Sequence, residues 1–130
     1  MTGIFKIIRD AILADNTLAA LIENRVYTLR APDDQKPPFI IIQLSGNTPI
    51  ATAGEVMIER PHITLDAYVA GQDTVTLRSI FDAVKALFDT YNEQSGGVSY
   101  DLRRIFSMPG PDEDGGLRWS FEYQGTVVTT

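Results

Sequence analysis

The chain has 130 residues, of which 44% are hydrophobic and 22% are charged, and it contains no cysteine. These values predict a single folded domain over residues 1–130 and exclude a disordered chain, a disulfide scaffold, thiolate metal sites and cysteine catalysis. The net charge is −6, and residues 66–130 carry ten acidic but only five basic side chains. An acidic surface repels a phosphate backbone, which argues against ordinary nucleic-acid binding.

Two helices are predicted near the start of the chain. Apolar side chains recur at helical spacing from Ile4 to Ile12, and Asp15 or Asn16 is suited to begin a second, shorter helix. Charged residues interrupt the first apolar stretch, which makes it a poor signal peptide, and no run is long enough to span a bilayer. We therefore expect a cytoplasmic start and no membrane contact.

Two β-prone runs follow, separated by a loop that contains three prolines. Arg25–Thr28 is short, and Phe39–Leu44 is almost continuously aliphatic, as expected of a strand covered on both faces or lying within a sheet. Residues 45–55 contain two glycines, an asparagine and a proline, which predicts a projecting loop.

The next strand has a clear alternation of side chains. Ile63, Leu65 and Ala67 share one face, whereas Asp66 and Tyr68 share the other. Pro61 cannot donate to a ladder, so it predicts a bulge or an edge position. For Asp66 we expect an exposed carboxylate opposite an arginine, with a charge at a subunit contact as the functional alternative.

The second half of the chain predicts a helix and two more strands. An apolar stripe runs from Leu77 to Tyr91 behind a suitable N-cap at Asp73 or Thr74. Residues 98–106 and 117–127 alternate as strands, and Arg103 and Arg104 fall on opposite faces, so one of them is expected to pair with an acid across the sheet. The order of elements predicts an α+β domain with a largely antiparallel β-sheet of about four to five strands and helices packed on one face.

No catalytic, cofactor or metal site emerges. His62 is the only histidine, and a histidine metal site or a serine–histidine pair needs partners that the sequence does not supply. The acidic stretch at residues 111–116 fails the EF-hand spacing and predicts a solvated hairpin tip. We therefore expect no enzyme activity and no cofactor.

Several short motifs occur together in an order that resembles the tail completion (tail terminator) proteins of long-tailed phages and prophages. The resemblance covers about residues 4–91 and is carried by "LAALIENRVY", "RAPDDQKPPFIIIQLSG" and "ITLDAYV". The matching positions are Arg25, Val26, Tyr27, Ala31, Pro32, Pro38, Phe39, Ile40, Asp66 and Tyr68. The departures are Phe39, where the family often has tyrosine, and the acidic "DDQK", where it usually has small polar residues.

The resemblance implies a structural role. Members of that family are thought to form a hexameric ring on the head-proximal end of the tail tube, where the ring stops polymerisation and faces the neck of the head. The implied partners are other copies of the chain, the tail tube protein and the head or neck connector proteins, and DNA passes through the channel without specific binding. The implied location is the host cytoplasm during assembly and then the virion.

The same resemblance makes particular residues candidates for subunit contacts. In the loop between the first two strands they are Arg30, Asp33, Asp34 and Lys36, for which a solvated loop without a partner is the equal alternative. Ile50 is an apolar residue suited to reaching a neighbour, and Asp66 completes the set. The other functions that fit the sequence are a head-closure or neck adaptor protein and a monomeric cytosolic α+β module that binds a protein or a ligand.

Overall fold

The computed structural model of the protein describes residues 2–50, 57–112 and 115–129. Within these ranges the helices are α1 (Thr2–Ala14), α2 (Asn16–Ile22) and α3 (Thr74–Phe88). The strands are β1 (Val26–Thr28), β2 (Phe39–Ile50), β3 (Met57–Val69), β4 (Asn92–Ser95), β5 (Val98–Pro111) and β6 (Leu117–Thr129).

The strands form one sheet in the order β1-β2-β3-β6-β5-β4. Only β1 and β2 are parallel, and every other neighbouring pair is antiparallel, so the expectation of an α+β fold with a largely antiparallel sheet is confirmed. The expected number of four to five strands is too low, because Asn92–Ser95 forms β4. All four residues of β4 are exposed, and such a strand carries no apolar alternation by which it could be recognised.

The β2–β3 hairpin is longer than expected. Strand pairing continues to Ile50, which lies opposite Ile58, so residues 45–50 belong to a strand and not to a projecting loop. Residues 51–56, the rest of the expected loop, lie outside the described residues. The extension carries few apolar side chains because it forms the outer part of the sheet, beyond Leu44, the last residue of β2 packed against the core.

Pro61 does not lie at a sheet edge, since β3 is flanked by β2 and β6. The ladder to β6 skips Pro61, and a bulge lies in the neighbouring strand, where the register shifts between Leu44 and Gly46. A Cβ atom at Gly125 would lie 2.9 Å from Pro61 Cγ. Glycine at position 125 therefore makes room for a proline in the middle of the sheet.

The helices pack on one face of the sheet, as predicted. The buried aliphatic side chains of β3 have one parity, Ile63, Leu65, Ala67 and Val69, and they share a core with the buried stripes of the helices. The expected N-caps are present: Asp15 accepts a hydrogen bond from Leu18 N (2.9 Å) and Asp73 accepts one from Thr76 N (3.0 Å). We call the opposite face of the sheet the helix-free face.

Two valines on α3 provide a matched test of this packing. Val84 is fully buried, whereas Val75 is 77% exposed. We expect Val84→Ala to lower the free energy of unfolding by about 2 kcal/mol, because it removes two buried carbon atoms and leaves a cavity. Val75→Ala should change it by less than about 0.5 kcal/mol. Urea denaturation of both variants measures the difference, and equal effects would contradict the assigned helix face.

Candidate assembly surfaces

A hydrogen-bonded arginine joins the start of β1 to the start of β2. Arg25 Nε donates to the carbonyl oxygen of Pro38 (3.1 Å), and its guanidinium contacts Glu23 Oε2 at 2.7 Å. Because Arg25 precedes β1 and Pro38 precedes β2, the contact fixes the parallel pairing of these strands. The exposed ion pair with Glu23 adds little stability by itself.

An aromatic cluster occupies the helix-free face beside this contact. The Tyr27 and Phe39 rings meet edge to face with centroids 6.0 Å apart, and the Phe39 and Tyr68 rings stack at 4.9 Å. The Tyr27 hydroxyl also forms a hydrogen bond with the Gln35 side chain. The three rings come from β1, β2 and β3, so the fold brings together motif positions that are up to 41 residues apart in the sequence.

The cluster includes a perturbed tyrosine. Burial raises the pKa of Tyr68 above its ordinary value, and the Asp66 carboxylate raises it further. The hydrogen bond and positive charge of Arg118 act in the opposite direction. Arg118 lies directly across the ladder from Tyr68 on β6, so the cluster is tied to the centre of the sheet.

Asp66 is buried, which corrects the expectation of an exposed carboxylate. Its side chain lies on the helix-free face as predicted, but Asp66 is only 7% exposed. Its partner is not an arginine but Ser120, the residue opposite it on β6, whose hydroxyl donates to Asp66 Oδ1 at 2.5 Å. A buried carboxylate needs such a donor. This contact gives Asp66 a role within the subunit.

The charged loop lies at the β1 edge of the sheet. Arg30, Asp33, Asp34 and Lys36 are all exposed, and within the described ranges none of these side chains makes an ion pair. Ala31 and Pro32 belong to the same loop. Ile50 ends β2 and lies far from this loop along the strand; its side chain lies outside the described part of the chain.

Both margins of the sheet are only partly covered. At one margin, β1 pairs with Ile40–Ile42 of β2, and no described strand pairs with the next residues on that side. At the other margin, β4 pairs with Val98–Asp101 of β5, and the described residues again provide no strand beyond them. We call Gln43–Thr48 the β2 open segment and Arg103–Met108 the β5 open segment.

The β5 open segment contains a group of exposed apolar side chains that the sequence did not single out. Ile105 is 47%, Phe106 51% and Met108 59% exposed. A register shift between Arg104 and Phe106 places Ile105 in a β-bulge. Ile105 and Phe106 are two apolar residues in succession, so they break the alternation of apolar and polar side chains along β5. This break is the sequence signal that could have predicted an exposed apolar stretch.

Arg104 belongs to the β5 open segment, but its side chain lies on the helix side of the sheet. Its guanidinium contacts Asp89 Oδ2 at 3.2 Å, and the Tyr123 hydroxyl donates to Asp89 Oδ1 at 3.0 Å. The expected arginine–acid pair is therefore present, but the acid lies at the end of α3 and not across the sheet. Burial, followed by the charge and hydrogen bond of Asp89, raises the pKa of Tyr123 far above its ordinary value of 10.0.

Among the described residues, no group of three or more histidine, cysteine, aspartate or glutamate side chains is placed to hold a metal ion. His62 stands alone on the helix-free face, half-buried beside Pro61. None of the described helices has the length and apolarity to cross a membrane.

Comparison with known proteins gives one family and a shared fold. The family model "Tail completion protein gp17" matches residues 6–124. A chain of the solved "Virion of native gene transfer agent (GTA) particle" is similar with a TM-score of 0.67 and 17% identity, over 93% of this chain and 91% of that one. A second solved structure, whose name describes no function, has a TM-score of 0.60 and 17% identity, over 96% and 95% of the two chains. No curated protein matches the sequence.

The contact between Asp66 and Ser120 is open to a direct test. We expect Ser120→Ala to lower the free energy of unfolding by about 2 kcal/mol, because it leaves a buried carboxylate without its donor. Ser79→Ala is the matched control, since the Ser79 hydroxyl is exposed and donates only to Val75 O within α3. Its effect should be below about 0.5 kcal/mol. Chemical denaturation that shows no difference between the two variants would contradict the assigned role.

Tyr123 should make stability depend on alkaline pH. Its folded pKa is raised, so the unfolded state loses a proton near pH 10.0 while the folded state keeps it. The contribution of Tyr123 to the free energy of unfolding is therefore fully present below pH 10. Above pH 10 it falls by up to about 1.4 kcal/mol per pH unit.

The variant Tyr123→Phe removes this contribution, so its free energy of unfolding should fall less steeply above pH 10 than that of the wild type. Urea titrations on both sides of pH 10 measure the two slopes. Tyr68 and Tyr91, whose pKa values are also raised, remain in both proteins and contribute equally. Parallel curves for the two proteins would contradict the expectation.

Proposed function

The chain belongs to the family of tail completion proteins described as gp17, and we propose that it forms a hexameric ring on the head-proximal end of a tail tube. The ring stops polymerisation of the tube and joins the tail to the head. The family match over residues 6–124 is the observation that carries the proposal. It includes the C-terminal strands, which lie beyond the motifs at residues 4–91.

A closed ring of identical subunits needs two different contact surfaces on each subunit. The two margins of the sheet carry different side chains, which supports this requirement. The charged loop with Arg30, Asp33, Asp34 and Lys36 lies at the β1 margin, and the exposed apolar side chains of β5 lie at the other. These two different margins support a head-to-tail arrangement, in which the loop contacts the neighbouring subunit.

The acidic balance of the chain supports a channel through which DNA moves without specific binding. The net charge is −6, and most of it lies in residues 66–130. Negative side chains that line a channel repel the phosphate backbone and prevent DNA from adhering. In this proposal, the partners are the tail tube protein on one side of the ring and the head or neck connector proteins on the other.

A neck adaptor protein is the alternative within the same class of virion proteins, and deletion of the gene separates the two functions. Loss of a protein that terminates the tube should give overlong tails that do not join heads. Loss of an adaptor should leave tails of normal length. Electron microscopy of the particles measures tail length directly, and normal tails would overturn the termination function.

Self-association of the purified protein is the first property to measure. We expect light scattering across a concentration series to reach about six times the subunit mass of 14.4 kDa. Magnesium should favour the assembly, because it screens acidic subunits from one another. The series is therefore run with and without the ion. A monomer at every concentration would contradict a ring that closes without the tube.

A further inference from the structure

We propose that the β5 open segment of one copy pairs with the β2 open segment of the next copy, so that the sheets of neighbouring subunits join edge to edge. This inference rests on the proposed ring and names the surface by which its subunits meet. Exposed backbone at a sheet edge is a template for another strand. The occupant that we infer for each edge is the opposite edge of a second copy of this chain.

The two edges are open on opposite sides of the sheet. The β2 open segment begins directly after the residues covered by β1, and Leu29 N, which donates to Ile42 O at 2.8 Å, marks the end of that cover. The β5 open segment begins after Leu102, whose N–H donates to Tyr91 O at 3.0 Å. Because the exposed edges differ and face away from each other, their pairing is head-to-tail and can continue around a ring.

The open segments have the same usable length. Pro49 follows the β2 open segment and Pro109 follows the β5 open segment, and neither proline has an N–H to donate to a ladder. Each edge is thus limited to six residues, Gln43–Thr48 and Arg103–Met108. Each segment also contains one bulge, at Ser45 in β2 and at Ile105 in β5.

The open segments overlap at one level of the sheet, over Gln43–Gly46 of β2 and Arg103–Phe106 of β5. Following the ladder across β3 and β6, Gln43 falls in the row of Phe106 and Gly46 falls in the row of Arg103. Two copies placed side by side with their strands aligned therefore present these residues to each other without an axial shift. When the ring axis runs along the strands, closure requires this condition, since any repeated axial shift would produce a spiral.

Strand direction also agrees. β2, β3, β6 and β5 alternate in direction, so β2 and β5 run oppositely within one subunit. Rotation about an axis along the strands keeps these directions, and β5 of one copy then meets β2 of the next in the antiparallel sense. Antiparallel pairing is slightly more stable per residue than parallel pairing.

The side chains are compatible with such a contact. The β5 open segment carries the exposed apolar residues Ile105, Phe106 and Met108, and Leu29, which is 61% exposed, lies beside the β2 edge. The β2 open segment has no charged residue, so it presents no repulsion to Arg103. Burial of these apolar side chains would supply the stabilisation that the backbone bonds alone lack.

Bulges and prolines also serve in monomeric proteins to protect an edge from pairing. That alternative makes a different prediction, because a protected edge would stay open in every assembly. Cysteine cross-linking distinguishes the two cases, and the absence of native cysteine means that only introduced thiols react. Ser45 and Ile105 are both exposed, and each lies next to the row of the sheet that contains Leu44 and Arg104.

In the double variant Ser45→Cys/Ile105→Cys, a short bismaleimide should join successive subunits and give a ladder up to the hexamer on a denaturing gel. Each single variant should remain monomeric on the gel, because its cysteine meets an unreactive neighbour. An equimolar mixture of the single variants should stop at the dimer. The control pair Ser45→Cys/Val75→Cys, with a thiol on the exposed face of α3, should remain monomeric on the gel.

Light scattering of the same samples separates the inference from the proposed ring. Oligomers without a cross-linked ladder in the double variant would overturn edge pairing and leave the ring intact. Monomers without cross-links would overturn both. A cross-linked dimer from either single variant would also overturn the inference, because it would show that like edges meet.

A charge substitution gives a second readout that does not need a reactive thiol. Ile105→Lys places a cation in the proposed joint, and the mass from light scattering should fall towards that of the monomer. Val75→Lys is the matched control, because it changes an even more exposed apolar residue away from both edges. An unchanged mass for Ile105→Lys, with a folded circular dichroism spectrum, would overturn edge pairing.

Discussion

The packing of α3 on the central strands is the interaction on which the rest of the structure depends. Phe81 stacks on Trp119 at 4.2 Å between centroids, and Phe88 meets Tyr123 edge to face at 6.1 Å. These contacts cover β6, which holds β3 on one side and β5 on the other. Aromatic pairs of this kind contribute beyond the area that they bury. Helices on the face of a sheet do not cover the backbone groups at its edges, so the open segments of β2 and β5 remain unpaired within the described part of the chain.

The end of α3 is tied to the sheet by charge as well as by packing. Asp89 follows the helix and receives both the Tyr123 hydroxyl and the Arg104 guanidinium, which also lies 5.5 Å from the Phe81 ring centroid. Arg104 is thereby drawn to the helix side immediately before the bulge at Ile105. The same contact that holds α3 thus directs the following residues of β5 outward.

Sequence patterns predicted the elements whose burial is regular, and they failed where burial is absent or depends on a distant partner. The stripe of α3 and the alternation around Leu65 were recognisable because one side of each is uniformly apolar. The polar strand β4 and the end of β2 lie outside the helix-covered core, so nothing in their composition distinguishes them from loops. The burial of Asp66 depends on Ser120, 54 residues later, and local sequence carries no trace of that contact.

For the candidate surfaces, too, single residues could be predicted from the sequence, but their arrangement in space could not. The motif residues Tyr27, Phe39 and Tyr68 were recognisable one by one, but their meeting on the helix-free face follows from strand order, which periodicity does not reveal. The open segments could not be predicted from the sequence for a further reason. A segment of a strand is open only where the neighbouring strand in the sheet has ended. The short strands β1 and β4 end before their neighbours do, at opposite margins of the sheet. This difference in length is seen only in the folded structure.

An open sheet edge exposes a chain to unwanted association, because any free strand can pair with it. Here Pro49 and Pro109 limit each edge to six residues, and a bulge interrupts each segment. Such short, irregular edges pair poorly with arbitrary strands, whereas two edges that have the same length and opposite directions and overlap in level suit each other. In the proposed joint, the angle between adjacent sheets then decides whether successive subunits close into a ring or continue as a filament. In the proposed ring, sheet twist and the two bulges would set that angle, so the features that restrain unwanted pairing would also determine the number of subunits.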